Sequence, residues 1–334
     1  MNHQPNRPRQ RGAAILTAML LVTLVASLSA AALWQQWRGI EVETAERARV
    51  QSAWVLQGAL DWARLILRED GRAGGAEHLA EPWAVPLQEA RLSTFLGTQG
   101  GAGDGVETQP EAFLSGQISD LQARLNITNL IESGQAHPPS RRAFARLFEA
   151  LRLPEGELTA LIQNLKEALA SDTAAARGAQ NQASSAQFAA LVPRTIDQLA
   201  WLGLPHASIA RLEPYITVLP ERTTVNLNTA PALVLFSCIP TLSMANAQRL
   251  AAARTQSHYK TLSDAAKVIG GTESPLAEGL HGVSSRFFEV RGQLRLETRV
   301  VQERSLVQRD GLVVKVLSRE RVALPLAVSV ERAG

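Results

Sequence analysis

The side chains able to do chemistry are thinly spread over the 334 residues. Six histidines (His3, His78, His137, His206, His258, His281) include no pair at metal-ligand spacing, and no G-x-S-x-G nucleophile motif occurs. No catalytic residue is assigned and the chain is not read as an enzyme. The single cysteine, Cys238, excludes an intramolecular disulfide, and its setting Leu235-Phe236-Ser237-Cys238-Ile239 predicts a buried thiol. Gly97 to Gly105, GTQGGAGDG, lacks the following helix and Lys-Ser/Thr pair of a phosphate cradle and reads as a loop. The strongest chemical pattern is VNLNTAPALVLFSCIPTLSMANAQRLAAAR (225–254), which resembles a helix-hairpin-helix unit, a module that often grips nucleic-acid phosphates. Its hairpin, Ile239-Pro240-Thr241-Leu242, has no Gly to let backbone N–H groups approach a phosphate and no Lys or Arg. A structural or protein-contact role is the better reading, with no nucleic acid bound.

The elements around these residues begin with an apolar helix. Ala13 to Trp34 is 22 residues without a charge, about 33 Å of helix and enough to cross a bilayer core. Arg7, Arg9 and Arg11 precede it with no acidic residue, which orients the N-terminus to the cytoplasm and the body to the opposite side. Ser29 to Ala32 offers small residues for a signal peptidase, the competing reading of a cleaved secretory signal. The helical period continues past that point, however. Ala45, Ala48, Ser52, Val55, Ala59, Ala63 and Ile66 recur at steps of three and four, a stripe that lets neighbouring helices approach, and Gly71 is the expected stop. Without the three leader arginines, 34 basic residues become 31 against 31 acidic ones, a balance unlike that of a nucleic-acid binder.

Beyond the helix, Pro82, Trp83 and Pro86 suggest an extended segment, and Gly116 to Thr128 reads as a strand with Ala123, Leu125 and Ile127 inward. From about Pro139 to His281 the pattern is helical. Helices are expected over 140–153, 155–170, 196–202 and 208–215, with residues 171–187 an exposed loop. In the hairpin unit, Asn228 or Thr229 can cap a first helix with Pro231 in its first turn. Pro240 ends that helix, Ser243 caps a second, and a third opens near Ser263. Alternation over 288–300 predicts one long strand, with Ser305 to Arg309 returning, Asp310-Gly311 turning, and 312–318 completing a ribbon. That ribbon should pair with the strand before Thr128, cover the lower half of the long helix, and leave the helical block as an insertion.

The Arg11-Gly12-Ala13 junction resembles the leader of a type IV pilin-like precursor. Together with Glu81-Pro82-Trp83, DLQARLNITNL (120–130), Asn-Leu-Asn-Thr-Ala-Pro (226–231) and the Arg-rich ribbon, it makes the whole chain similar to the K-class minor pseudopilins of type II secretion systems. The resemblance implies an α+β fold: a transmembrane pilin-like helix on a small antiparallel sheet, with a large all-α, helix-hairpin-helix or SAM-like insertion. The corresponding organisation is a leader at 1–12, a transmembrane half-helix at 13–34, and pilin core at 35–129. The insertion then occupies 130–285, and core strands follow at 286–334. It also implies cleavage between Gly12 and Ala13 by the prepilin peptidase and N-methylation of Ala13. Implied partners are the I- and J-class minor pseudopilins and the major pseudopilin, contacted through Thr17, Ala45, Ala48, Ser52, Val55, Ala59 and Ala63. The expected location is the bacterial inner membrane, single-pass, with a periplasmic body, at the tip of a pseudopilus that exports folded proteins.

Two positions depart from the family pattern. Thr17 stands at the fifth mature position, where major pilins carry Glu, and an uncharged residue suits a subunit with nothing above it to neutralise. Relatives often carry an acidic, calcium-ligating stretch after the second helix of the insertion. Here the match is Gln163-Asn164-Leu165-Lys166-Glu167-Ala168, with Asp172 beyond, and no metal or other cofactor is assigned.

Overall fold

The computed structural model describes residues 11–92, 112–176, 191–270, 275–296 and 299–323. Its contacts divide the chain into two units, 1–57 and 58–334. Helix α1, Arg11–Ala73, is continuous over 63 residues. Residues 14–44 of α1 are exposed, and its most apolar 18-residue window has a mean hydropathy of 2.2. Three hydroxyls there bond back into the helix: Thr17 donates to the Ala14 carbonyl, Thr23 to Leu20 and Ser27 to Thr23, so these three need no partner from water.

The second unit contains a five-stranded antiparallel sheet of β1 (Leu87–Arg91), β2 (Ala112–Asp120), β3 (Phe287–Leu296), β4 (Arg299–Asp310) and β5 (Val313–Ala323). Their spatial order follows the chain, β1-β2-β3-β4-β5. The helical region lies in sequence between β2 and β3, which pair directly, Gly116 opposite Gly292. One face of this sheet meets the α1 residues of the same unit. Leu60, Ala63 and Leu67 are buried with Trp83, Ile118, Phe288, Val290, Val307 and Val314. Phe287, one position along, turns to the other face and packs with Leu121 and Leu219. The start of β3 is therefore apolar on both sides, which removes the alternation that a half-wet strand would show.

The helical region is built from α2 (Pro138–Ala150), α3 (Glu155–Ala176), α4 (His206–Leu212), α5 (Ala232–Cys238), α6 (Met244–Gln256) and α7 (Leu262–Ile269). A 3₁₀ segment covers Asp197–Leu202. Phe144, Leu147 and Phe148 of α2 share one core with Leu158, Leu161 and Leu165 of α3 and Val234 and Leu235 of α5. Ser243 caps α6 by accepting from the Asn246 N–H, as its position predicts. The third helix, α7, opens one residue before Ser263, as expected, and Thr261 caps it through a reciprocal capping box with Asp264.

Several sequence expectations are corrected. Gly71 does not end α1, which runs to Ala73. A Cβ at Gly71 would lie 2.8 Å from the Gly311 carbonyl, so this glycine admits the β4–β5 turn. The segment after Pro82 is a 3₁₀ turn with Trp83 buried, and it leads into β1, a strand the sequence did not reveal. The strand expected over 116–128 starts earlier and stops at Asp120. Leu121–Ala123 and Ile127–Leu130 are 3₁₀ turns, and Asn126, expected wet, is buried. Residues 171–176 continue α3 instead of forming a loop, while most of that expected loop (177–187) and 97–105 lie outside the described residues. The strand expected over 288–300 is two strands, because Arg299 already pairs back to Leu296. The 130–285 stretch is not purely helical. Ile216–Thr217 pairs in parallel with Leu125–Asn126, Val225–Asn226 with His281–Gly282, and Ile131–Glu132 pairs antiparallel with Gln135–Ala136, satisfying backbone groups between helices.

Candidate assembly surfaces and the polar hub

The two polar motifs that carry the resemblance meet in a buried hub within the second unit. Asp120 closes β2. Its Oδ1 accepts from the Gln122 N–H at 2.7 Å. Its Oδ2 accepts from Asn226 Nδ2 at 3.1 Å, Thr229 Oγ1 at 2.5 Å and Ser285 Oγ at 2.6 Å. Burial still pushes the Asp120 carboxyl above its ordinary pKa, with these hydrogen bonds opposing. Glu77, in the connection after α1, accepts from the Ser285 N–H at 2.8 Å and pairs with Arg309, which also pairs with Asp70. Burial raises the Glu77 carboxyl too, opposed first by the Arg309 charge. The hub thus joins the end of α1, β2, β4 and both ends of the helical region.

Neighbouring polar residues replace backbone partners where the chain is irregular. Asn129 donates to the Thr223 carbonyl and accepts from its N–H, at 2.7 and 3.0 Å. Asn228 does the same to Tyr259, at 2.9 and 2.8 Å. This corrects the capping assignment: Asn228 and Thr229 spend their side chains on Tyr259 and Asp120, and Pro231 itself occupies the N-cap of α5. Glu81 of the Glu-Pro-Trp segment accepts from Trp83 Nε1 at 2.7 Å, and the indole meets Phe288 edge-on at 5.3 Å. These buried polar groups serve packing.

The helix-hairpin-helix turn buries its ends, Ile239 and Leu242, and exposes its tip, Pro240 and Thr241. Arg146 on α2 donates to the Ile239 and Leu242 carbonyls at 2.5 and 2.7 Å, and its guanidinium lies 4.1 Å from the centre of the Phe236 ring. The hairpin is tied to its own domain by a cation. Cys238, beside it, is buried, and burial pushes its thiol up to about 12, leaving no nucleophilic thiolate near neutral pH. At the stretch matching the family's calcium ligands, Gln163 bonds Glu167, Lys166 bonds Gln135, and Leu165 and Ala168 are buried. Among the described residues no three His, Cys, Asp or Glu groups gather as metal ligands.

Gly12 and Ala13 lie in the first turn of α1, and Thr17 is exposed one turn on. The expected packing stripe is divided. Ser52 and Ala63 are buried, Ala63 in the chain's own core, whereas Ala45, Ala48, Val55 and Ala59 are half-buried. Leu56, Leu60 and Leu67 are also buried, and the Ala-based reading, which did include Ala63, missed them because a leucine row runs one position away at the same spacing. Large apolar residues face outward instead: Trp54 in the first unit, Trp62 and Leu65 in the second.

Models of the family "Type II secretion system (T2SS), protein K" match residues 123–221 and 225–284. Type II secretion system protein K of Pseudomonas aeruginosa is 27% identical over 94% of this chain and 93% of its own. The Klebsiella pneumoniae protein of that name is 25% identical, over 96% and 97% respectively. A solved structure, the GspK-GspI-GspJ complex of the enterotoxigenic Escherichia coli type 2 secretion system, includes a chain with TM-score 0.61 at 16% identity. It covers 84% of this chain and 99% of that one. The apolar helix, the sheet beneath its second half and the hub-tied helical region define a pilin-like assembly subunit. Within that class, the chain is similar to the type II secretion system protein K family.

Proposed function

We propose that this chain works as the tip subunit of a periplasmic pseudopilus that drives export of folded proteins across the outer membrane. The observation that carries this is the hub: the family-matched region, 123–284, is locked onto the sheet and the end of α1 by Asp120, Asn226, Thr229, Ser285 and Glu77. A subunit held in this way carries a large helical block, read as an inserted helix-hairpin-helix or SAM-like domain over 130–285, beside the filament core. Such bulk obstructs subunits stacked above it and suits a single terminal position. Thr17 agrees, since a subunit with nothing above it has no ammonium to neutralise.

In this reading the prepilin peptidase cuts between Gly12 and Ala13, Ala13 is N-methylated, and α1 anchors the chain in the inner membrane with its body in the periplasm. The I- and J-class minor pseudopilins pack along the half-buried Ala45, Ala48, Val55 and Ala59 positions, and the major pseudopilin continues the shaft below. The test is to label the helical region and image assembled fibres. One label per fibre, at its distal end, is expected; label repeating along the shaft overturns the tip assignment.

A further inference from the structure

Trp34 and Trp37 lie one helical turn apart on α1, their ring centroids 5.7 Å apart and tilted by 53°. Both rings are exposed, at 64% and 54%. No aromatic residue occurs between Arg11 and Trp34, and no charged residue between Arg11 and Arg38. From Ala13 the helix rises about 32 Å to Trp34 and about 36 Å to Trp37. The hydrocarbon core is about 30 Å thick, so both indoles fall where acyl chains give way to ester and headgroup. Arg38 follows at once, with a stem long enough to reach phosphate from that depth. An indole suits this layer because its body is apolar and its N–H donor finds ester carbonyls. The opposite end of the span carries arginine alone.

We infer that the Trp34–Trp37 pair, with Arg38, is a phospholipid-interface site that fixes how deeply α1 sits at the periplasmic side of the membrane. The pair works as a collar. Sinking the helix strips the indole N–H groups of partners, and lifting it draws apolar residues such as Leu28 and Leu33 into water. The occupant is the ester-phosphate layer of the bilayer, chosen by the length of the uncharged run and by the aromatic residues appearing at one end only. This deepens the anchor reading above and rests on it.

The test uses the full chain in phosphatidylethanolamine–phosphatidylglycerol vesicles containing phosphatidylcholine brominated either near the headgroup or near the chain end. Flotation reports the anchor itself, and the quenching of tryptophan fluorescence reports depth. The expected result is a floating chain quenched at least about twofold more by shallow than by deep bromine, with most of that quenching lost in the Trp34→Leu/Trp37→Leu variant, which still floats. A floating chain quenched equally or more by deep bromine, or a double variant quenched like the parent, overturns the collar and leaves the anchor standing. A chain that stays with the soluble fraction overturns both.

Discussion

Asp120 gathers three neutral side-chain donors on one oxygen. Asp120→Ala should therefore strip Ser285 Oγ of its acceptor and Thr229 Oγ1 of its short one in a dry setting, while Asn226 keeps the Glu77 carbonyl and Ser285 Oγ, a loss of about 1–3 kcal/mol. Urea unfolding of the full chain in detergent checks it, and an unshifted midpoint contradicts the hub. His281 gives a pH prediction. Its Nδ1 accepts from the Ala277 N–H at 3.0 Å, its Nε2 faces the Cys238 carbonyl, and burial holds its pKa below the ordinary 6.5. The unfolded chain then binds the proton that the folded chain refuses, so stability is full above about pH 7 and falls as pH drops through 6.5 toward the folded value. His281→Asn should flatten that slope between pH 7.5 and 5.5 in unfolding titrations; an equally steep slope would assign the acid sensitivity elsewhere. None of these roles could be read from the residues locally. The partners of Asp120 lie more than 100 positions away, and only the resemblance marked DLQARLNITNL and the Asn-Leu-Asn-Thr-Ala-Pro motif as related.

Among the elements, local chemistry was most readable where a single residue decides. Pro240 ended α5 and Ser243 opened α6, each by what its own backbone or hydroxyl can do. Periodicity misled where two continuations share one pattern. The alternation over 288–300 is one of composition only: Val300 pairs with Arg295 and Val301 with Leu294, so the face that takes even positions in β3 takes odd positions in β4. Likewise 123–128 alternates in composition yet keeps only a two-residue strand, Leu125–Asn126, between 3₁₀ turns, while the Asn126 and Asn129 side chains satisfy the 219–223 backbone. The hairpin provides the test at this scale. Arg146→Met keeps the stem and removes the donors to Ile239 and Leu242, so it should cost about 1–3 kcal/mol and loosen residues 239–242. Hydrogen exchange would report faster exchange there than in α3. Uniform protection would show that Arg146 does not hold the turn.

At the scale of the molecule, the order helix, strand, helical block, strand ribbon was visible in sequence because each class has its own period, 3.6 or 2. The pairing of β2 with β3 across the helical block followed from the same patterns. What stayed hidden was which face of α1 the chain keeps for itself. Leu56, Leu60 and Leu67 are turned inward, leaving the smaller Ala45, Ala48, Val55 and Ala59 half-buried. Small residues there permit close approach of a second helix, and exposed Trp54 supplies apolar area for it to cover. As proposed, this chain assembles with the other minor pseudopilins. Native mass spectrometry of the full chain co-expressed with the I- and J-class subunits of its own secretion system decides it. One complex holding a single copy of each is expected, lost or weakened when Ala48 and Ala59 are both changed to Leu. A chain that runs alone while the I and J subunits pair with each other would contradict it.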